Sequence, residues 1–98
     1  MIYITYPSMG EAKKIVHHLL EKKLISCANF FPVKSSFWWK GKIDSSEEIV
    51  SICKTRKENW EKVKSEVKKL HSYETPCILK IDAEANKEFS VWVNSEVK

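Results

Sequence analysis

Apolar and polar positions change period several times along this chain, and each change marks an element. Ile2-Tyr3-Ile4-Thr5-Tyr6 is a β-branched and aromatic run that stops at Pro7, which predicts a first strand. Ser8 with Glu11 three places on forms a capping-box pattern. Ala12, Ile15, Val16, Leu19 and Leu20 then recur at helical spacing to about Lys23. Ile25 to Lys40 reads as a long strand interrupted near Pro32, where a proline implies either a bulge or an edge position. Gly41 marks a turn, and Ile43 to Thr55 returns as the second arm of a hairpin. In Ile49-Val50-Ser51-Ile52-Cys53 apolar residues fall on both parities, so both faces of the sheet need cover there. Thr55 with Glu58 repeats the capping-box pattern, and Trp60, Val63, Val67 and Leu70 line one face of a second helix. Pro76 opens a strand from Cys77 to Asp82 with Cys77, Leu79 and Ile81 on one side. Asn86 is placed to cap a final helix presenting Phe89, Trp92 and Val93.

The predicted order is β-α-β-β-α-β with a terminal helix, the split βαβ arrangement of an α+β, ferredoxin-like sandwich. One domain over residues 1–98 is expected. Two helices cover one face of the sheet, and the other face needs a cover too. A strand of about fifteen residues spans ~50 Å, whereas a helix of that length covers ~22 Å. The hairpin must therefore overhang its own subunit, carrying Phe37, Trp38 and Trp39 at its tip. Another copy of the chain is the simplest partner for those rings.

Composition narrows the function classes. The 17 Lys and Arg against 13 Asp and Glu leave a net charge of +4, spread over the chain. The densest basic stretch, Lys54 to Lys69, is interleaved with Glu58, Glu61 and Glu66, which suits a solvated helix face and argues against nucleic acid as partner. The three cysteines, Cys27, Cys53 and Cys77, lie in separate apolar runs without a CxxC, the pattern of buried reduced thiols. No apolar run approaches the ~20 residues that cross a bilayer, and no secretory pattern opens the chain, so a cytoplasmic protein is expected.

The densest cluster of functional side chains is His71-Ser72-Tyr73-Glu74-Thr75-Pro76, between the second helix and the last strand. His71 could ligate a divalent metal with Glu74 completing the site, or it could cap the helix C-terminus. His17 and His18 are adjacent and cannot face the same way, so packing or surface roles fit them. Glu47, Glu48 and Lys54 edge an apolar strand, either as plain surface or lining a cleft between subunits. No cysteine or serine is paired locally with a base, so an enzyme is not expected.

Ser26-Cys27-Ala28-Asn29, Phe37-Trp38-Trp39-Lys40-Gly41-Lys42-Ile43, Glu47-Glu48, Lys54-Thr55-Arg56, His71-Ser72-Tyr73-Glu74-Thr75-Pro76 and Trp92 together resemble the CutA family of divalent-cation tolerance proteins. The match runs through nearly the whole chain in order. The resemblance implies a ferredoxin-like subunit in a homotrimer of PII-like shape, with Phe37, Trp38, Trp39 and Trp92 at the interface. It also implies a link to tolerance of divalent cations, copper above all, without an established catalytic reaction. Copper ligands proposed for some members are a cysteine at the end of the first strand and two adjacent histidines. Here His71 matches the second histidine, with Leu70 at the first position and Tyr6 at the cysteine position. Weak copper binding at His71 and Glu74 is one expectation. A PII-like sensor is the alternative, binding a small anionic ligand between subunits through Trp39, Lys54, Tyr73 and Glu74. A trimeric scaffold for a protein partner is a further one.

Overall fold

The first strand, β1, spans Ile2–Tyr6 and alternates buried with half-buried residues, as expected of a strand with a core on one side. The computed structural model describes residues 1–98. Helix α1 (Met9–Glu21) follows, and its buried Ala12, Ile15, Val16 and Leu19 recur at the predicted spacing. Strands β2 (Cys27–Trp39) and β3 (Lys42–Lys54) form the long hairpin. A single 3-10 turn at Lys57–Asn59 leads into α2 (Trp60–Leu70), then β4 (Ile78–Lys80) and α3 (Lys87–Glu96). The sheet order is β2-β3-β1-β4 with every neighbouring pair antiparallel. This is the split βαβ topology predicted from the sequence.

Pro32 causes no bulge. Pairing runs without interruption from Cys27 opposite Lys54 to Trp39 opposite Lys42. β2 is an edge strand, so the missing proline N–H can face away from the ladder. The hairpin closes through Lys40 and Gly41, both at positive φ (50° and 81°), the two-residue turn whose twist matches the strands. Two sequence expectations are corrected. β4 is three residues long rather than six: Lys80, Leu79 and Ile78 pair with Ile2, Tyr3 and Ile4 of β1, and the next β1 carbonyl, that of Thr5, is taken by His71 Nε2. Thr55 does not cap α2: its hydroxyl donates to the Leu24 carbonyl at 2.6 Å, fastening the end of β3 to the α1–β2 connection.

Residues opposite one another share a face. Ile2, Ile4 and Tyr6 with Cys53, Ser51 and Ile49 therefore face the helices, and the first four of the apolar members, Ile2, Ile4, Tyr6 and Cys53, are fully buried with Ile15, Leu19, Val63 and Val67. The opposite face carries Phe31, Phe37, Trp39 and Leu79, all exposed, with Glu48 and Val50 as buried exceptions. Trp38 and Ile43, facing each other near the turn, are 72% and 71% exposed because the hairpin has outrun both helices. On α3, Val93 is buried while Val91 and Trp92 are exposed, Trp92 lying 5.6 Å from Phe89 between ring centres. The shape records the overhang. The radius of gyration is 14.0 Å, where ~12.6 Å is typical of 98 residues. The accessible surface is 6555 Å2, where ~5800 Å2 is typical of this mass.

Glu66 on α2 joins the two helices. His18 on α1 lies 2.8 Å away, Lys22 just past the end of α1 lies 2.9 Å away, and Lys69 on α2 lies 2.8 Å away. Hydrogen bonds from Lys69, then His18 and Lys22, lower its carboxyl from the usual 4.5 to about 2. The folded state thus binds fewer protons than the unfolded one in this range, so the contribution is present above about pH 4.5 and is lost as pH falls toward 2. Glu66→Gln is expected to lower the thermal midpoint at pH 7, and the two proteins to converge near pH 2 in melting curves followed by circular dichroism.

Candidate functional site

The site assembles where β1 ends beside the end of α2. The His71 backbone has turned extended, at φ −73° and ψ 136°, while its N–H still donates to the Val67 carbonyl at 2.9 Å. Its side chain is completely buried and stacks on the Tyr6 ring, with centroids 5.4 Å apart and planes 13° from parallel. His71 Nε2 lies 2.7 Å from the Thr5 carbonyl oxygen, and Nδ1 lies 3.1 Å from the Tyr73 backbone nitrogen. A carbonyl only accepts and an amide N–H only donates. Nε2 therefore carries the proton and Nδ1 presents its lone pair, so two main-chain groups fix the tautomer.

Glu11 completes this corner. Its main-chain N–H donates to Ser8 Oγ at 3.2 Å, as a capping box requires, but its carboxylate does not turn back to the cap. It accepts from the Ser72 N–H at 3.0 Å and stands 3.5 Å from His71 Nδ1. The first turn of α1 thus holds the loop that follows α2. Tyr73 packs its ring on His71, centroids 4.8 Å apart, and its hydroxyl donates to Glu48 Oε2 at 2.6 Å. Glu48 is only 9% exposed, so this hydroxyl is its shield from being a buried carboxylate without a donor. Burial, then the hydrogen bond to Glu48 and the charges of Glu48 and Glu11, hold the Tyr73 phenol well above its usual range. Burial and the Glu48 charge also raise the Cys77 thiol. A groove of about 570 Å3 lies beside Glu48, bordered by Ser8, Met9, Val33 and Glu47.

The remaining candidates divide by position. Tyr6 is buried with its hydroxyl 2.7 Å from Ser51 Oγ. Cys53, 3.6 Å from Ser51, is raised to about 11 by burial first. Glu74 is exposed. Lys54 donates to Asn29 at the far end of β3. Trp39 lies near the hairpin turn, opposite Lys42. Lys42, Glu48 and Lys54 are spaced six residues apart on β3, about 20 Å per interval, so Trp39, Tyr73 and Lys54 do not meet within one subunit. No cluster of three or more His, Cys, Asp or Glu side chains suited to a metal ion occurs. Sequence reasoning passed over Glu11 and the Thr5 carbonyl as site members. The available signal was the capping-box carboxylate of Glu11; a backbone carbonyl such as that of Thr5 leaves none in the sequence.

Sheet order, long hairpin and helix placement define a ferredoxin-like subunit of the PII-like class. The chain belongs to the CutA1 family: the model described as CutA1 divalent ion tolerance protein matches residues 1–96. The divalent-cation tolerance protein CutA of Archaeoglobus fulgidus is 52% identical over 98 residues, spanning 99% of this chain and 96% of that protein. Its structure, described as that of a periplasmic protein, superposes with a TM-score of 0.96 over 99% of this chain and 96% of that one. The Pyrococcus horikoshii protein of the same description is 38% identical over 99 residues, spanning all of this chain and 97% of that protein. The PII-like protein CutA of Nostoc superposes at 0.91 with 26% identity, over 99% of this chain and 95% of that one. No helix here is long and apolar enough to cross a membrane.

The Tyr73–Glu48 bond yields a direct test. Tyr73→Phe removes one oxygen, keeps the ring on His71 and leaves Glu48 without its donor. The expected loss is about 1–3 kcal/mol in urea denaturation at fixed protein concentration. An unchanged midpoint would show that Glu48 finds an equal partner without the phenol.

Proposed function

We propose that this chain is a non-enzymatic divalent-cation tolerance protein acting as a homotrimer, and that it takes copper(II) weakly at His71. The observation that carries the metal reading is the orientation of the imidazole. Metal-binding histidines commonly donate their second ring N–H to a carbonyl, which orients the ring and sharpens the other nitrogen as a ligand. His71 makes that bond from Nε2 to Thr5, leaving Nδ1 as the one lone pair. Glu11 stands 3.5 Å from Nδ1, and Glu74 is exposed on the same loop, free to approach an ion held there. One nitrogen with a single carboxylate beside it suits a labile site completed by solvent rather than a closed one. The ring is buried and Nδ1 accepts from the Tyr73 N–H, so an incoming ion must displace that bond.

The trimer is supported by the uncovered sheet face and by the overhanging hairpin tip with Phe37, Trp38 and Trp39, to which exposed Trp92 on α3 is added as an interface residue. Trp39, Lys54, Tyr73 and Glu74 can line a common cleft only across subunit boundaries. The absence of chemistry as a role rests on Ser51 and Cys53, which are buried and tied to each other and to Tyr6 rather than to a base. We place the protein in the cytoplasm on the strength of its three free thiols, although the A. fulgidus relative is described as periplasmic.

Calorimetric titration with copper(II) tests the site. Wild type is expected to give saturable heat with one ion per subunit. His71→Ala is expected to abolish it and Glu74→Ala to weaken it severalfold, with circular dichroism confirming that both variants fold. Equal heats from wild type and folded His71→Ala would remove His71 from the metal reading.

A further inference from the structure

At the opposite end of β1 from His71, a cavity of about 320 Å3 opens between the start of the α2 segment and the chain leaving β4. Arg56, Lys57 and Lys80 line it, with Trp60 and Ile81 as apolar wall and Asp82 as its one carboxylate. None of the three cations takes part in an ion pair. Arg56 Nε is buried with no hydrogen-bond partner, and it is the sole side-chain polar atom of the chain in that condition.

Buried polar groups are normally hydrogen-bonded. A guanidinium has no acceptor and does not lose its proton, so only an acceptor can satisfy it, and only an anion can also balance its charge. Arg56 stands directly before the Lys57–Asn59 turn that leads into α2, and its side chain makes no capping bond. Three side-chain cations and one carboxylate thus line a concavity at the small end of the range for small-molecule sites.

We propose that this cavity binds a phosphate-type oxyanion, either free phosphate or a phosphomonoester, with Arg56 as its anchoring ligand. The planar guanidinium fork matches phosphate oxygens in pairs, and Lys57 and Lys80 add charge at the rim. For a phosphomonoester, Trp60 and Ile81 would meet the organic part. The site is independent of His71 and of the copper reading.

The test is calorimetric titration with inorganic phosphate and, separately, with adenosine monophosphate, each against chloride at matched ionic strength. Saturable binding is expected, weakened at least tenfold in Arg56→Gln and several-fold in Lys57→Gln, an exposed position that does not threaten folding. Comparable affinity for the two probes would identify the free oxyanion as the recognised group, and tighter binding of the ester would bring in the apolar wall. Absence of saturable binding by wild type with either probe overturns the proposal. So does unchanged binding in folded Arg56→Gln, or an Arg56→Gln chain whose assembly mass falls while its phosphate binding persists. That last result would make Arg56 a subunit contact.

Discussion

The four-stranded sheet has two apolar faces, and the chain supplies helices for only one of them. Ile2, Ile4 and Cys53 disappear beneath α1 and α2, while Phe31, Phe37, Trp39 and Leu79 on the reverse side remain exposed. The asymmetry follows from length. Thirteen-residue strands reach about 43 Å, and the thirteen and eleven residues of α1 and α2 cover about 20 and 17 Å. No rearrangement within one subunit can bring two helices over that whole surface. The hairpin therefore determines what the protein needs from its surroundings, and in a CutA1-family chain the economical answer is more copies of itself.

The same geometry places the site at the hairpin's root. Glu48 lies where β3 passes the end of β1, and Tyr73 reaches it from the loop that also carries His71. That loop is held by bonds to Thr5, Glu11 and Glu48, from three different elements. Deep burial of an imidazole against two backbone groups gives it one defined tautomer, a property useful to a ligand and equally useful as a structural pin. Tyr6, stacked on the ring, fills the volume next to it with a phenol committed to Ser51. Where a thiol at that position would offer a soft ligand, this chain offers packing.

Much of the architecture was legible because it is written in local periodicity. The strand stopping at Pro7, the stripe from Ala12 to Leu20 and the turn at Gly41 each involve residues close in sequence. Pro32 was readable as an edge signal, although the alternative of a bulge needed the partner strand to settle it. What escaped depended on partners far away. β4 pairs with only three of the five residues of β1, whose Thr5 carbonyl goes to His71 instead, and nothing in residues 77–82 says so. Thr55 looks like a helix cap until Leu24 appears 31 residues earlier as its acceptor. Glu11 satisfied a capping pattern in sequence while its carboxylate was needed 61 residues away at Ser72. His71 stood out as chemistry, but whether its nitrogens were free was a question only the folded chain could answer.

On this reading the uncovered face and the hairpin tip are subunit contacts. Sedimentation equilibrium of the intact chain at micromolar concentration tests it most directly. A mass of three 11.5 kDa chains, held on tenfold dilution, is the predicted result. A single-chain mass would contradict it, leaving Phe37, Trp38 and Trp39 exposed to water.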